Sequence, residues 1–116
     1  MSVNSIIINA LSEFDYPVKP DIYTGKEKRY ITFNYADDRG MGFADDEPDC
    51  ILADMQIHFF LPLEENGKAV NYLSDRRKIR EALFKAGFTY PSIVNLVETD
   101  NNIRHLVFEC QTTEER

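Results

Sequence analysis

Residues Cys50 to Leu61, CILADMQIHFFL, alternate in polarity with a period of two over the length of a long strand. Ala53, Met55, Ile57, Phe59 and Leu61 share one face, and Asp54, Gln56 and His58 share the other. Successive side chains of a strand point to opposite sides, so this run predicts a sheet with one face on a core and one face wetter. Tyr30 to Tyr35, YITFNY, is a second β-rich run. Tyr30, Thr32 and Asn34 face one way, and Ile31, Phe33 and Tyr35 the other.

Between these strands lies Ala36 to Asp49, ADDRGMGFADDEPD. It carries Asp37, Asp38, Asp45, Asp46, Glu47 and Asp49 against Arg39, a net of −5 within a chain whose formal net charge is −7. A hairpin needs only about two to five linking residues. A connection of this length and charge is expected to be an acidic, mobile inter-strand loop that serves a partner or a bound cation.

The remaining pattern completes a single domain over residues 1–116. Ser2 is placed to cap a first helix whose stripe is Val3, Ile6, Ile7, Ala10, Leu11 and Phe14, ending by Tyr16 because Pro17 follows. Pro20 limits Val18 to Tyr23 to an edge strand, and Thr24 to Glu27 reads as a turn. Glu64 to Lys68 makes an exposed turn, and a second helix is expected from about Val70 to Ala86, stopped by Gly87. Tyr72, Ile79, Leu83 and Ala86 line its core face, with Leu73 and Phe84 beside them. Strands at Ser92 to Glu98 and Ile103 to Thr112 follow, joined by a tight Asp100-Asn101-Asn102 turn. Residues 111–116 are expected to fray as a polar tail. The order α-β-β-β-α-β-β predicts an α+β two-layer sandwich. Its sheet of about five strands is mixed or mostly antiparallel, with two helices on one face.

Charge and motifs restrict the function. An isoelectric point near 4.7 is unlike the positive footprint of a nucleic-acid binder. The basic exception is Arg76, Arg77, Lys78, Arg80 and Lys85 on the second helix, where Asp75 and Glu81 leave a net of +3. That pattern fits a solvated or subunit-facing helix surface. The longest apolar run is far short of the roughly 20 residues of a membrane span, and MSVNSIII has no basic region ahead of a long apolar one, so no secretory signal is expected. Cys50 and Cys110 are then expected as reduced thiols. CxxC, HExxH, GxSxG and a phosphate-binding glycine loop are all missing, and Gly40-Met41-Gly42 precedes no helix pattern. No catalytic residue, cofactor or metal ligand set is assigned, and no enzymatic activity is expected.

The strand CILADMQIHFFLPLEE, the charged segment after YITFNY and the helix beginning near VNYLSDRRKIREAL resemble the small tail-terminator, or tail-completion, proteins of long-tailed bacteriophages and prophages. These include the minor tail protein U group and the head-to-tail joining proteins. The resemblance runs over about residues 3 to 110. It implies a structural protein that caps the tail tube as a ring, usually a hexamer, and offers the surface to which the head is joined. Its partners would be copies of itself, the tail tube protein and a head-completion protein, with no membrane and no sequence-specific nucleic acid. It would be found in the host cytoplasm during assembly and in the virion tail afterwards. Ring contacts would fall on the strand around Ala53 to His58, with Gln56 and His58 in it, on the exposed sheet edge, and on the basic Arg76, Arg77 and Arg80 face of the second helix. Asp37, Asp38, Asp45, Asp46 and Glu47 would meet the tube, the lumen or a neighbour. Two other readings stay open: a small acidic adaptor or inhibitor of a basic partner, and a metal-dependent enzyme using His58, His105 and nearby carboxylates.

Overall fold

Ser2 opens the first helix, α1 (Val3–Ala10), in the way the sequence predicts. Its side-chain oxygen accepts from the Ser5 amide at 3.2 Å, which satisfies one orphan donor of the first turn. The computed structural model of the chain describes residues 2–42 and 47–115. Val3, Ile7 and Leu11 are fully buried on one side of α1. The helix ends at Ala10, earlier than the apolar stripe suggests, and Phe14 packs against the core from the turn that follows.

Strand β1 (Val18–Pro20) lies at a sheet edge, parallel to β2 (Tyr30–Met41). Next come β3 (Cys50–Pro62) and the short hairpin β4 (Glu64–Glu65) and β5 (Lys68–Ala69). Asn66 and Gly67 turn that hairpin at φ 53° and 75°, left-handed values that asparagine and glycine tolerate. After α2 (Leu73–Lys85) the chain finishes with β6 (Ser92–Glu98) and β7 (Ile103–Glu115). The main sheet is ordered β1-β2-β3-β7-β6, and every neighbouring pair except the first is antiparallel. This is the expected α+β arrangement, with two helices against a five-stranded, mostly antiparallel sheet.

The core forms where alternating sheet residues meet the helices. Ile31 and Phe33, then Ala53, Met55, Ile57, Phe59 and Leu61, then Leu106 and Phe108 pack with Val3, Ile7, Leu11, Ile79, Leu83 and Phe88. The face assignment read from Cys50 to Leu61 therefore holds residue by residue. Helix α2 starts three residues later than Val70. Its first amide at Leu73 is met by the Asn71 side chain at 3.0 Å, and Gly87 takes the left-handed position beyond its end at φ 108°. Leu73 and Phe84 are 52% and 51% exposed, so they do not flank the core as expected.

Two further expectations are corrected. The segment Ala36 to Asp49 is not loop throughout, because β2 continues to Met41, and Asp37 to Met41 pair with Asp54 to Cys50 of β3. Residues 111–115 do not fray, because they belong to β7 and pair with Cys50 to Asp54 from the other side. The three long strands thus run on past the helices as a ribbon, here called the arm. The chain measures 61 × 26 × 25 Å, with a radius of gyration of 15.8 Å. A compact chain of this length would have about 13 Å. Where both faces of a strand meet water, no apolar alternation remains to announce it, and the backbone ladder carries the pairing with polar contacts such as Arg39–Asp54 across it.

Candidate interaction surface

Among the described residues, no helix or second sheet covers the sheet face opposite the helices, and cross-strand register organises it into rows. Tyr30, Phe60, His105 and Leu96 stand directly opposite one another across β2, β3, β7 and β6. The Tyr30 and Phe60 rings stack at 4.8 Å between centroids, and Phe60 and His105 at 4.2 Å. Tyr23 extends the stack at 4.7 Å from Tyr30. In the next row Thr32, His58, Val107 and Val94 are aligned. Val94 and Leu96, 43% and 45% exposed, leave the β6 side of this face apolar and open.

A hydrogen-bonded chain links the polar residues of this face. Asn34 donates its amide NH₂ to Gln56 Oε1 and to the Tyr35 carbonyl, both at 3.3 Å, so its Oδ1 faces His58 Nε2 at 2.8 Å. An amide oxygen only accepts, so His58 Nε2 carries the hydrogen and its Nδ1 is left to accept. His105 Nε2, 2.8 Å away, is then the donor to that Nδ1. The arrangement requires a neutral His58 ring, and a lowered His105 pKa favours the neutral form there as well. Burial lowers the pKa of His58; for His105 burial does so first and His58 adds to it, while Glu98 opposes.

The sign of the pH effect follows. With folded pKa values below the unfolded value of about 6.5, the contribution of this pair is fully present above that value. It is lost as pH falls through it, because the unfolded chain takes up protons that the folded pair resists. The melting temperature should therefore drop more between about pH 7.5 and pH 5 in the wild type than in a His58→Gln/His105→Gln double variant, since only the wild type carries the histidine pair. Parallel slopes in thermal melts of the two proteins would contradict the neutral pair.

Of the residues expected at contacts, the sheet places Gln56 and His58 together here. Asp37 and Asp38 lie on the arm, not in a loop. At Ala36 the ladder register shifts, which turns Asp37 and Arg39 to the side of Asp54. Arg39 donates to Asp37 at 2.6 Å and to Asp54 at 2.7 Å, so part of the expected acidity is neutralised within the chain. Glu47 lies at the far end of the connection, and Asp45 and Asp46 lie outside the described residues. Among the described residues, the arm and its base carry Asp37, Asp38, Glu47, Asp49, Asp54, Glu114 and Glu115 together with Arg39, a formal net of −6.

Arg76, Arg77 and Arg80 are on the other layer. With Leu73, Ser74 and Tyr90 they line a depression of about 400 Å³. Arg80 donates to the Pro91 carbonyl at 2.8 Å and lies 4.7 Å over the Tyr90 ring, and Phe84 meets that ring edge-on at 5.3 Å. Asp54 lies on the face expected for it beside Gln56 and His58; Arg39 was counted only against the acids of its own segment, and His105 and Tyr90 were missed as members of these surfaces. Only the register and the bulge bring them in, and neither leaves a mark in single-strand periodicity.

For metal chemistry, the two histidines already satisfy each other, and the next group is the Asn34 amide. Among the described residues, no group of three or more His, Cys, Asp or Glu side chains is placed to hold a metal ion. Both cysteines are free, and burial pushes the Cys110 thiol up to about 12.

With this geometry in place, one solved structure is informative. A chain in the virion of a native gene transfer agent (GTA) particle superposes with a TM-score of 0.62 at 10% sequence identity, over 99% of this chain and 96% of that one. What they share is the fold. No family model and no curated protein matches the sequence.

Proposed function

We propose that this chain is a structural subunit of a phage-like particle. It closes as a ring on the end of the tail tube and presents the surface to which the head is joined. The observation that carries this reading is the fold shared along the whole of both chains with a component of a gene transfer agent virion. The tail-terminator-like order of elements supports it. So does the surface: an uncovered sheet face with aromatic and apolar rows, and charges of opposite sign segregated to the arm and to α2. A ring is a set of heterologous contacts that closes, and a subunit for one needs two different complementary patches. Its partners would be copies of itself, the tube protein and a head-completion protein. It would be made in the host cytoplasm and end in the virion tail. Ring size is proposed as six.

Native mass measured over a range of protein concentrations, with electron microscopy of any large species, tests this reading. The expected result is a discrete species of about six chains that images as a ring. A protein that stays monomeric throughout and binds a basic partner one-to-one would overturn it in favour of an acidic adaptor.

A further inference from the structure

The arm and the α2 depression form a complementary pair: at the base of the arm Asp54 shares a depression with Tyr90, yet among the described ion pairs none joins an arm carboxylate to Arg76, Arg77 or Arg80 of the same copy. The described arm and its base carry −6, and most of their residues are exposed. The α2 patch carries Arg76, Arg77 and Arg80 with three exposed apolar side chains beside them, Leu73, Phe84 and Tyr90 at 52%, 51% and 51%. Half-exposed large apolar groups rimmed by arginines mark a contact surface more than a solvated one. Arg80 is held in place by Pro91 and Tyr90, so part of the patch is pre-organised.

We infer that the occupant of the α2 patch is the acidic arm of a second copy of this chain, each subunit giving its arm to one neighbour and receiving the arm of another. The inference rests on the ring reading and adds its joint. Charge complementarity identifies the occupant. The arm carries the main concentration of acid in the sequence, and the α2 face carries the main concentration of base. Asp38, Asp49 and Glu115 are the exposed carboxylates offered, and Arg76 and Arg77 the guanidiniums that receive them. Such pairs fix register and partner choice more than they add affinity. Packing of the arm over Leu73, Phe84 and Tyr90 then supplies the apolar contact.

Two charge-reversed variants test the joint. One carries Asp38→Lys, Asp49→Lys and Glu115→Lys, and the other carries Arg76→Glu and Arg77→Glu. Each presents like charges to itself, so each should need about tenfold or more the wild-type concentration to assemble. Mixed one-to-one, the two are complementary in both directions and should assemble together as alternating subunits. Wild-type assembly should weaken as salt is raised. Thermal melts establish that each variant is folded, and the neutral versions with Asn, Gln and Gln in place of these groups replace any that is not. If the wild type forms rings and both variants do so equally well, this contact is overturned while the ring reading stands. If both fail alone and the mixture also fails, the two surfaces do not meet each other, and the inference falls. A wild type that never leaves the monomer overturns the ring reading, and this joint with it.

Discussion

Phe59→Ala should cost about 3 to 5 kcal/mol of folding stability. Phe59 is fully buried, stands between Ile31 and Leu106 across the two central ladders, and has the Tyr16 ring 5.2 Å away. Truncation removes the transfer energy of a phenyl ring and leaves a cavity that three paired strands cannot collapse to fill. Domains of this size are commonly stable by only about 5 to 15 kcal/mol, so the loss is a large fraction of the total. Gln56→Ala and His58→Ala change residues on the opposite side of the same strand. They remove one or two partly exposed hydrogen bonds, each contributing about 1 kcal/mol. Denaturant titrations of the three variants check the comparison. Equal costs would mean that the strand is read one residue out of phase, and the open face would be the wrong one.

The sequence made this strand legible because its two sides face different media. Where that contrast exists, as at Cys50 to Leu61 or in the Val3, Ile7 and Leu11 stripe, side-chain type follows burial. Where it vanishes, the pattern is silent. Asp37 to Met41 and 111–115 are strands bathed on both sides, so their composition matches that of loops and tails. Phe84 and Leu73 fail for the opposite reason, because large apolar residues on a helix read as core even when they are exposed. Their exposure becomes informative only beside Arg76, Arg77 and Tyr90. The His58–His105 bond depends on β3 and β7 pairing in one register, a long-range fact that neither strand contains. Acidity was visible in the sequence, but its partial neutralisation by Arg39 was not, since it depends on the bulge at Ala36.

Leu83→Ala should cost about 2 to 5 kcal/mol, and the reason lies in how little holds α2. An isolated helix of about this length is marginal in water, so its order must come from tertiary packing. Of its 13 residues only Ile79 and Leu83 are buried, one turn apart on the face toward the sheet. Around these two anchors Ala82 packs against the core, Arg80 donates to the Pro91 carbonyl and Asp75 pairs with Arg29, while Arg77, Lys78 and Lys85 face solvent. Removing Leu83 takes away half of the fully buried anchor, and the Phe88 amide that donates to the Leu83 carbonyl at 3.2 Å ties the next loop to the same point. The neighbouring Phe84→Ala deletes a larger side chain that is half exposed, and it should change stability by only about 0.5 kcal/mol. Thermal melts followed by helical circular dichroism, beside an assembly measurement on each variant, separate the two roles. Leu83→Ala should lower the melting temperature strongly. Phe84→Ala should melt like the wild type and, if the α2 patch receives a neighbour's arm, assemble less well. A Phe84→Ala protein as unstable as Leu83→Ala would put that ring in the core after all and remove the apolar part of the proposed joint.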